Sequence, residues 1–312
     1  VNRLAITGNL DEGAQPIHSN SGDSICIFNG AIFNYKEMAK KFNVNPISKN
    51  DGAILLELYE LIGLKVFDFV QGMYAIIIID RIKNMMVVSR DPLGIKPLYW
   101  TNNEIELVIS SSLKAVPEAL LGKVEPFPPG LVWTAPESSQ AVSPQVKKND
   151  NLDTLLTNTV KSHIPLEVNW GCALSGGVDS SLVCALSKKF NENFNCYVLD
   201  SGGEEDFNAA KLVANHLELP LKTVKVNKQK VKDAVPIVVE ALASYNSQTF
   251  LGGLGTYLIS LQAQRDGLKV LLSGEGADEI FGGYDRYKKL ETNAEIERMM
   301  TDDQNKLWLS HN

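Results

Sequence analysis

The sequence predicts an α+β unit followed by an α/β unit on a parallel sheet, and three features carry that expectation. The first half alternates short β-rich runs with turns, the pattern of a sheet-rich unit. The polar stretch APESSQAVSPQVKKND, Ala135 to Asp150, breaks all periodicity and reads as a linker. Beyond it the rhythm becomes strand, loop, helix, which implies parallel strands with helices on both faces of the sheet.

Taken in order, the first half offers strands at Ser24–Phe28, Met73–Asp80, Met85–Arg90 and Leu107–Ser111, with one amphipathic helix over Asp51–Ile62. In YAIIIIDRIKNMMVVSRD two apolar runs flank Lys83-Asn84, which predicts an antiparallel hairpin. In the second half Val168–Leu174 leads into a helix from Asp179, and Asn195–Asp200 into a helix over Asp206–His216. Leu221–Val226 leads into a helix from Val231, Leu254–Arg265 gives a further helix and Lys269–Leu272 a further strand. Ligands of such sheets sit beyond the carboxyl ends of the strands, where the strand order reverses. Three of those ends combine glycine with acid: LSGGVDSS, LDSGGEED and LSGEGADE.

Composition narrows the function classes. The 312 residues, 44% of them hydrophobic, are enough for two ordinary domains. A net charge of −7 argues against a nucleic-acid partner, whose phosphates need clustered Lys and Arg. No run of about 18 apolar residues spans a bilayer and no basic-then-apolar leader opens the chain. A cytoplasmic protein with no membrane partner is therefore expected. Cys26, Cys172, Cys184 and Cys196 lie inside apolar runs without metal-ligand spacing, and are expected to be reduced core residues. The chain opens on Val1 and stops at Asn312, both in mid-pattern, so a fragment of a longer protein is expected.

The segment Ser175-Gly176-Gly177-Val178-Asp179-Ser180-Ser181 comes off an apolar strand and opens a helix. Two glycines permit close backbone approach, so amides, a helix N-terminus and three hydroxyls can face an anion such as pyrophosphate. Asp179 would repel that anion unless a cation sat between them, which makes it a natural Mg2+ ligand. The alternative is a plain Gly-Gly turn whose Ser or Asp caps the helix. Ser273-Gly274-Glu275-Gly276-Ala277-Asp278-Glu279 repeats the arrangement at a second strand end, followed by FGGY. Three acids within five residues are costly to hold together unless they meet a cation or ammonia.

LSGGVDSS with SGEGADEIFGGY resembles the glutamine-dependent asparagine synthetase family, and NRLAI, GAQPI, FNGAIFNYKE, QGMYAIIIID and RDPLGIKPLY resemble that family's glutaminase domain. The resemblance implies a glutaminase domain of N-terminal-nucleophile sandwich type over 1–140, incomplete, and a linker over 141–150. It implies a doubly wound ATP-pyrophosphatase domain over 151–312. It implies glutamine, ATP and aspartate or another carboxylate as partners and Mg2+ as cofactor, and it allows a homodimer. In such enzymes ATP adenylates a carboxylate, pyrophosphate leaves, and ammonia displaces AMP.

Carried over by position, Ser175, Gly176, Gly177, Ser180 and Ser181 would hold pyrophosphate, and Asp179 and Asp278 Mg2+. The backbone at Ala173, Leu174, Leu199, Ser273 and Gly274 would meet the rest of ATP, and Glu275 would assist ammonia attack. In the first half Arg3, with the backbone at Leu4 and Ile6, would hold glutamine; Asn29 and Gly30 would form an oxyanion hole; Ala31 and Asp51 would lie at its amino group. Asp51 could also cap its helix. The chain departs from the family at five positions. Val1 stands where an amino-terminal Cys nucleophile is expected, and Cys26 cannot inherit that role. Ala31 and Ser112 replace Glu residues, Leu251 stands where Arg is common in asparagine synthetases, and Asp200 where a small residue is usual. The resemblance therefore leaves open another acceptor carboxylate, or a homologue without glutaminase activity.

Overall fold

Alternating apolar side chains need a cover on each face of a strand, and both halves of the chain meet that need within themselves. The computed structural model describes residues 6–7, 13–45, 50–101, 107–136, 138–141, 151–242, 246–290 and 292–309. They form two compact units, one within Val1–Asn149 and one within Asp150–Leu307.

The first unit runs β1 (Ile17–His18), β2 (Ser24–Ile32), α1 (Tyr35–Phe42), α2 (Asp51–Ile62), β3 (Gly72–Asp80), β4 (Met85–Arg90), β5 (Tyr99–Thr101), β6 (Ile109–Ser110), β7 (Val124–Pro126), β8 (Leu131–Ala135) and β9 (Ser138–Ala141). A six-stranded antiparallel sheet has the order β1-β2-β3-β4-β8-β9, and a three-stranded one the order β6-β5-β7. Period-two alternation divides the large sheet's residues between two cores. Cys26, Phe28, Tyr74, Ile76, Ile78 and Val87 pack with Leu55, Leu56 and Tyr59 of α2. Ala75 and Val88 pack with Trp100 and Phe127 from the small sheet and its flank.

The expected hairpin is present, with Asp80 opposite Met85 and Asn84 in the left-handed region at φ 49°. One part of the expected linker is not a linker: Ser138–Ala141 pairs antiparallel with β8 as β9. The backbone ladder, rather than any apolar alternation in SSQA, makes that strand. Residues 142–150 lie outside the described set.

Arg90 is only 1% exposed, yet its guanidinium donates to three backbone carbonyls: Nε to Lys96 at 2.8 Å, Nη1 to Phe127 at 2.9 Å and Nη2 to Gly94 at 2.8 Å. The buried carboxylate of Asp91 accepts the amides of Ile95 and Lys96 at 2.9 and 3.0 Å. Gly94 makes room for this: its φ is +62°, and a Cβ there would lie 3.2 Å from Arg90 Cζ.

The second unit runs α3 (Leu152–His163), β10 (Trp170–Ala173), α4 (Val178–Lys188), β11 (Asn195–Asp200), α5 (Glu204–His216), β12 (Leu221–Lys225), α6 (Lys228–Leu242), α7 (Ser247–Arg265), β13 (Val270–Leu272), α8 (Ala277–Phe281) and α9 (Asn293–Leu309). Its four strands are parallel in the order β12-β11-β10-β13. Alternate residues of β11 serve opposite faces: Cys196 and Val198 join Cys184 of α4 and Ala210 and Ala214 of α5. Tyr197 joins Val238 of α6 and Leu258 of α7, with Leu199 beside them. The helices α6 and α7 begin earlier than their apolar patterns suggest. Asn227 Oδ1 accepts Lys230 N at 2.9 Å and Asn246 Oδ1 accepts Thr249 N at 3.2 Å, so side-chain caps set the starts. All four cysteines are buried and free. Among the described residues no helix is long and apolar enough to cross a membrane.

Arg90→Met keeps an apolar stem but leaves three carbonyls without that donor, two of them in buried hydrogen bonds, and each buried loss is worth about 1–3 kcal/mol. The first unit should lose about 3 kcal/mol or more of unfolding free energy. Urea unfolding followed by tryptophan emission checks this; an unchanged midpoint would show that the carbonyls find other donors.

Candidate functional site

From β10 the chain runs outward to one side as β11 and β12 and then returns to the other side as β13. The strand order thus reverses between β10 and β13, and the two Gly-acid loops leave the sheet at that point.

The loop after β10 is shaped from within. Leu174 is buried and its amide donates to Tyr197 O at 2.8 Å. Ser180 Oγ accepts Ser175 N at 3.2 Å, pairs with Ser175 Oγ at 2.9 Å and reaches Gly177 O at 3.2 Å. Gly176 has φ +87°, and a Cβ on it would lie 2.5 Å from Ala210 N of α5, so only glycine fits. Gly177 precedes α4 without a side-chain cap. The first amides of α4 have no carbonyl four residues back to bond. Those amides and exposed Ser175 are what the loop offers an anion. The three expected hydroxyl donors all have other roles in this loop: Ser175 is exposed but its hydroxyl pairs with Ser180 and accepts Gly177 N at 3.3 Å, Ser180 is spent inside the loop, and Ser181 Oγ is enclosed without a partner. Ala173 and Leu199 are half-buried at and near the ends of β10 and β11.

The loop after β13 lies directly against this one. A Cβ on Gly274 would stand 2.8 Å from both Asp179 Cβ and Ser180 N. Ser273 and Glu275 are exposed beside it, and Asp278 and Glu279 follow on α8. Desolvation, then the charges of Asp179 and Glu279, raises the Asp278 carboxyl above its ordinary value, opposed by Arg286. Although Glu275 keeps an open surface, desolvation by the protein around its carboxyl raises it too, followed by the charges of Glu279 and Asp278. Buried Glu279 accepts a hydrogen bond from Tyr284 Oη. Desolvation and that bond raise the Tyr284 hydroxyl, so it stays a donor. In the sequence Glu279 stands only as one of three crowded acids and Tyr284 has no assigned role; the FGGY that follows the acids is the available signal.

Among the described residues no three His, Cys, Asp or Glu side chains form a metal-binding group. Asp179 and Asp278, the second raised in part by the charge of the first, fit a hard cation that takes its remaining oxygens from phosphate and water, as Mg2+ commonly does.

In the first unit Asn29 is exposed near the end of β2 and Gly30 half-buried beside it. A Cβ on Gly30 would stand 2.1 Å from Met73 O, where the backbones of β2 and β3 nearly touch. Asp51 is not the helix cap: Asn50 is, accepting Ala53 N at 2.8 Å. Asp51 is the first helical residue and is buried; its Oδ2 accepts Ile32 N at 2.9 Å and its Oδ1 accepts Thr7 Oγ1 at 2.9 Å. Burial raises its carboxyl, opposed by these bonds. The structure thus gathers Asp51 with the backbone next to Ala31 and with Thr7, the neighbour of half-buried Ile6. Thr7 was not foreseen, and Arg3 and Leu4 lie outside the described residues. Burial, then the charge of Asp51, pushes the Cys26 thiol up to about 12, so it is inert at neutral pH. Ser112 is tied to Ser110, whose Oγ accepts its amide at 3.2 Å. In the second unit, Asp200 Oδ1 accepts Gly202 N at 3.2 Å, and Leu251 on α7 is 66% exposed.

Comparison with protein families finds the asparagine synthase model over residues 151–311 and a glutamine amidotransferase domain model over 1–129. Asparagine synthetase B (glutamine-hydrolyzing) of Escherichia coli K12 is 29% identical over 323 residues, covering 94% of this chain and 58% of that protein. Putative asparagine synthetase 1 of Methanocaldococcus jannaschii is 29% identical over 320 residues, covering 93% and 58%. A probable asparagine synthetase of Schizosaccharomyces pombe is 29% identical over 319 residues, covering 90% and 57%. The chain thus spans less than three-fifths of the length of these relatives. With the synthase match over residues 151–311, more than half of its 312 residues, the chain belongs to the asparagine synthase family.

Proposed function

We propose that the chain is part of an ATP-dependent amidotransferase that forms asparagine from aspartate, with ammonia drawn from glutamine. The observation that carries this reading is the contact of Gly274 with Asp179 and Ser180, which joins an anion-binding loop to an acidic loop where the strand order reverses. In this reading the first unit is a glutaminase sandwich of N-terminal-nucleophile type and the second a doubly wound ATP-pyrophosphatase sheet. The whole enzyme works in the cytoplasm, as a homodimer, without nucleic-acid or membrane partners.

The open amides of α4 and the hydroxyl of Ser175 hold the pyrophosphate part of ATP. Asp179 and Asp278 would hold Mg2+, which when bound neutralises charge on the departing pyrophosphate. The backbone at Ala173, Leu174, Leu199, Ser273 and Gly274 holds the nucleoside. Hydroxide leaves a carboxylate poorly and AMP leaves it well, so adenylation prepares the substrate for ammonia. Glu275, held in a crowded acidic setting that raises its carboxyl, accepts the proton ammonia loses. In the first unit Asn29 and the Gly30 amide stabilise an oxyanion, while Asp51, with the Ile6 and Ala31 backbones, Arg3 and Leu4, receives glutamine.

A specific observation favours a second acceptor. Leu251, apolar and 66% exposed, offers no charge to a carboxylate where relatives of the resemblance carry Arg. Amidation of a different carboxylate, such as that of a sugar or peptide, is the corresponding reading.

With ammonium as nitrogen source, the full-length protein should release pyrophosphate from ATP only when aspartate is added, and Asp179→Ala should abolish that release. Equal release without aspartate would remove asparagine as the product. Activity retained by the variant would remove the Mg2+ assignment.

A pH dependence follows from the raised carboxyls. A proton taken up more readily by the folded state stabilises it fully below the ordinary carboxylate value, and that gain is lost as pH rises through the raised folded value. In divalent-free buffer, the parent's thermal midpoint should therefore gain on that of Asp278→Asn as pH falls from 7 toward the ordinary carboxylate range near 4. Added Mg2+ should close the gap at pH 7. A midpoint difference independent of both pH and Mg2+ would contradict the crowding of these acids.

A further inference from the structure

We propose that Glu279 and Tyr284 are a positioning pair that holds the Asp278 carboxylate against Asp179 for cation binding; the inference rests on reading these two acids as the Mg2+ ligands. Glu279 is 7% exposed, so a carboxylate there needs a donor, and Tyr284 Oη supplies one. To reach it, the chain turns back at once after α8. Gly282 adopts φ +70°, and the amides of Gly282 and Gly283 donate to Asp278 O at 2.9 and 3.1 Å.

This return path runs over Asp278 itself. A Cβ on Gly283 would lie 1.9 Å from Asp278 Oδ1, so the Gly283 backbone forms one wall of the space in which that carboxylate sits. The wall is anchored from its far side. Tyr287 is 3% exposed, its ring centroid lies 5.8 Å from that of Tyr284, and the Arg286 guanidinium stacks 4.1 Å from the Tyr284 ring and 5.5 Å from the Tyr287 ring. The Tyr284 hydroxyl is thus the joint between a fixed aromatic anchor and the helix that carries Asp278. Without it the anchor stays, but Gly283 is no longer tied to α8 through Glu279.

A hydrogen-bonded joint and a simple charge effect predict different variants. Tyr284→Phe keeps the ring and its stacking and removes only the donor. Glu279→Gln keeps an acceptor oxygen for Tyr284 and removes only the charge, whereas Glu279→Leu removes both. ATP binding is measured by equilibrium dialysis on the whole chain, with Mg2+ and again in EDTA. Y284F and E279L should each weaken Mg2+-dependent binding about tenfold, the scale of one lost buried hydrogen bond, with the EDTA affinity unchanged. E279Q should stay close to the parent, and the double variant Y284F/E279L should be no weaker than either single one.

Equal weakening in Mg2+ and in EDTA would mean general damage to the loop and would overturn the pair. So would a parental Y284F, additive losses in the double variant, or an E279Q as weak as E279L. A parent whose ATP binding ignores Mg2+ would remove the metal reading and the pair with it. A Mg2+-dependent parent with an unaffected Y284F would remove the pair alone. Should E279L fail to fold, the comparison of Y284F with E279Q still decides between joint and charge.

Discussion

The second unit depends on one close approach, that of the Gly274 backbone to Asp179 and Ser180. Two parallel strands side by side bring their carboxyl ends within a few ångströms, but loops with side chains at the crossing would splay apart. With no Cβ at 274 the loops touch, and a Cβ there would stand 2.8 Å from Asp179 Cβ and from Ser180 N. The contact has an electrostatic consequence. It brings Asp179 within range of Asp278, and desolvation, then the charge of Asp179, raises the Asp278 carboxyl. Glycine 176 does the same for the other side of the loop, seating it on α5 at Ala209 and Ala210. The loop's shape is thus set by two glycines and by the Ser175–Ser180 hydrogen bonds, before any ligand arrives.

Much of this was legible in the sequence, for reasons that differ by element. Strands β3 and β4 announce themselves as apolar runs because each serves two cores, and β2 by the alternation of a strand that serves one. The starts of α6 and α7 were misjudged because Asn227 and Asn246 sit ahead of the apolar pattern that marks the helix, so a reading built on apolar spacing begins late. Strand β9 has no apolar alternation at all, and only its ladder with β8 defines it. At the site, glycines and acids were readable because few other uses explain them together. The hydroxyls were not. Ser180 and Ser181 precede Cys184 by four and three residues on α4, so they share the inward stripe of that helix, and phase rather than residue type turns them from the ligand.

The two units treat buried charge in opposite ways, and the contrast separates scaffold from site. In the first unit the guanidinium of Arg90 meets three carbonyls, and Asp91 meets a set of loop amides. Asp51 likewise meets an amide and a hydroxyl, although burial still raises it. The Arg90 and Asp91 pairings fix loops and ask for nothing more. In the second unit Glu275 and Asp278 are raised by desolvation and by one another's neighbours, with Arg286 opposing at Asp278. A fold gains nothing from holding like charges together, and the geometry that does so, glycine against aspartate twice over at 274 and 283, is specific. Residues held against their own electrostatics are where a cation or a proton has work to do. By that criterion Asp51 and the β10–β13 loops both stand out, and the loops more strongly. Several acids crowd there, and the loops open directly onto a helix terminus that no side chain caps.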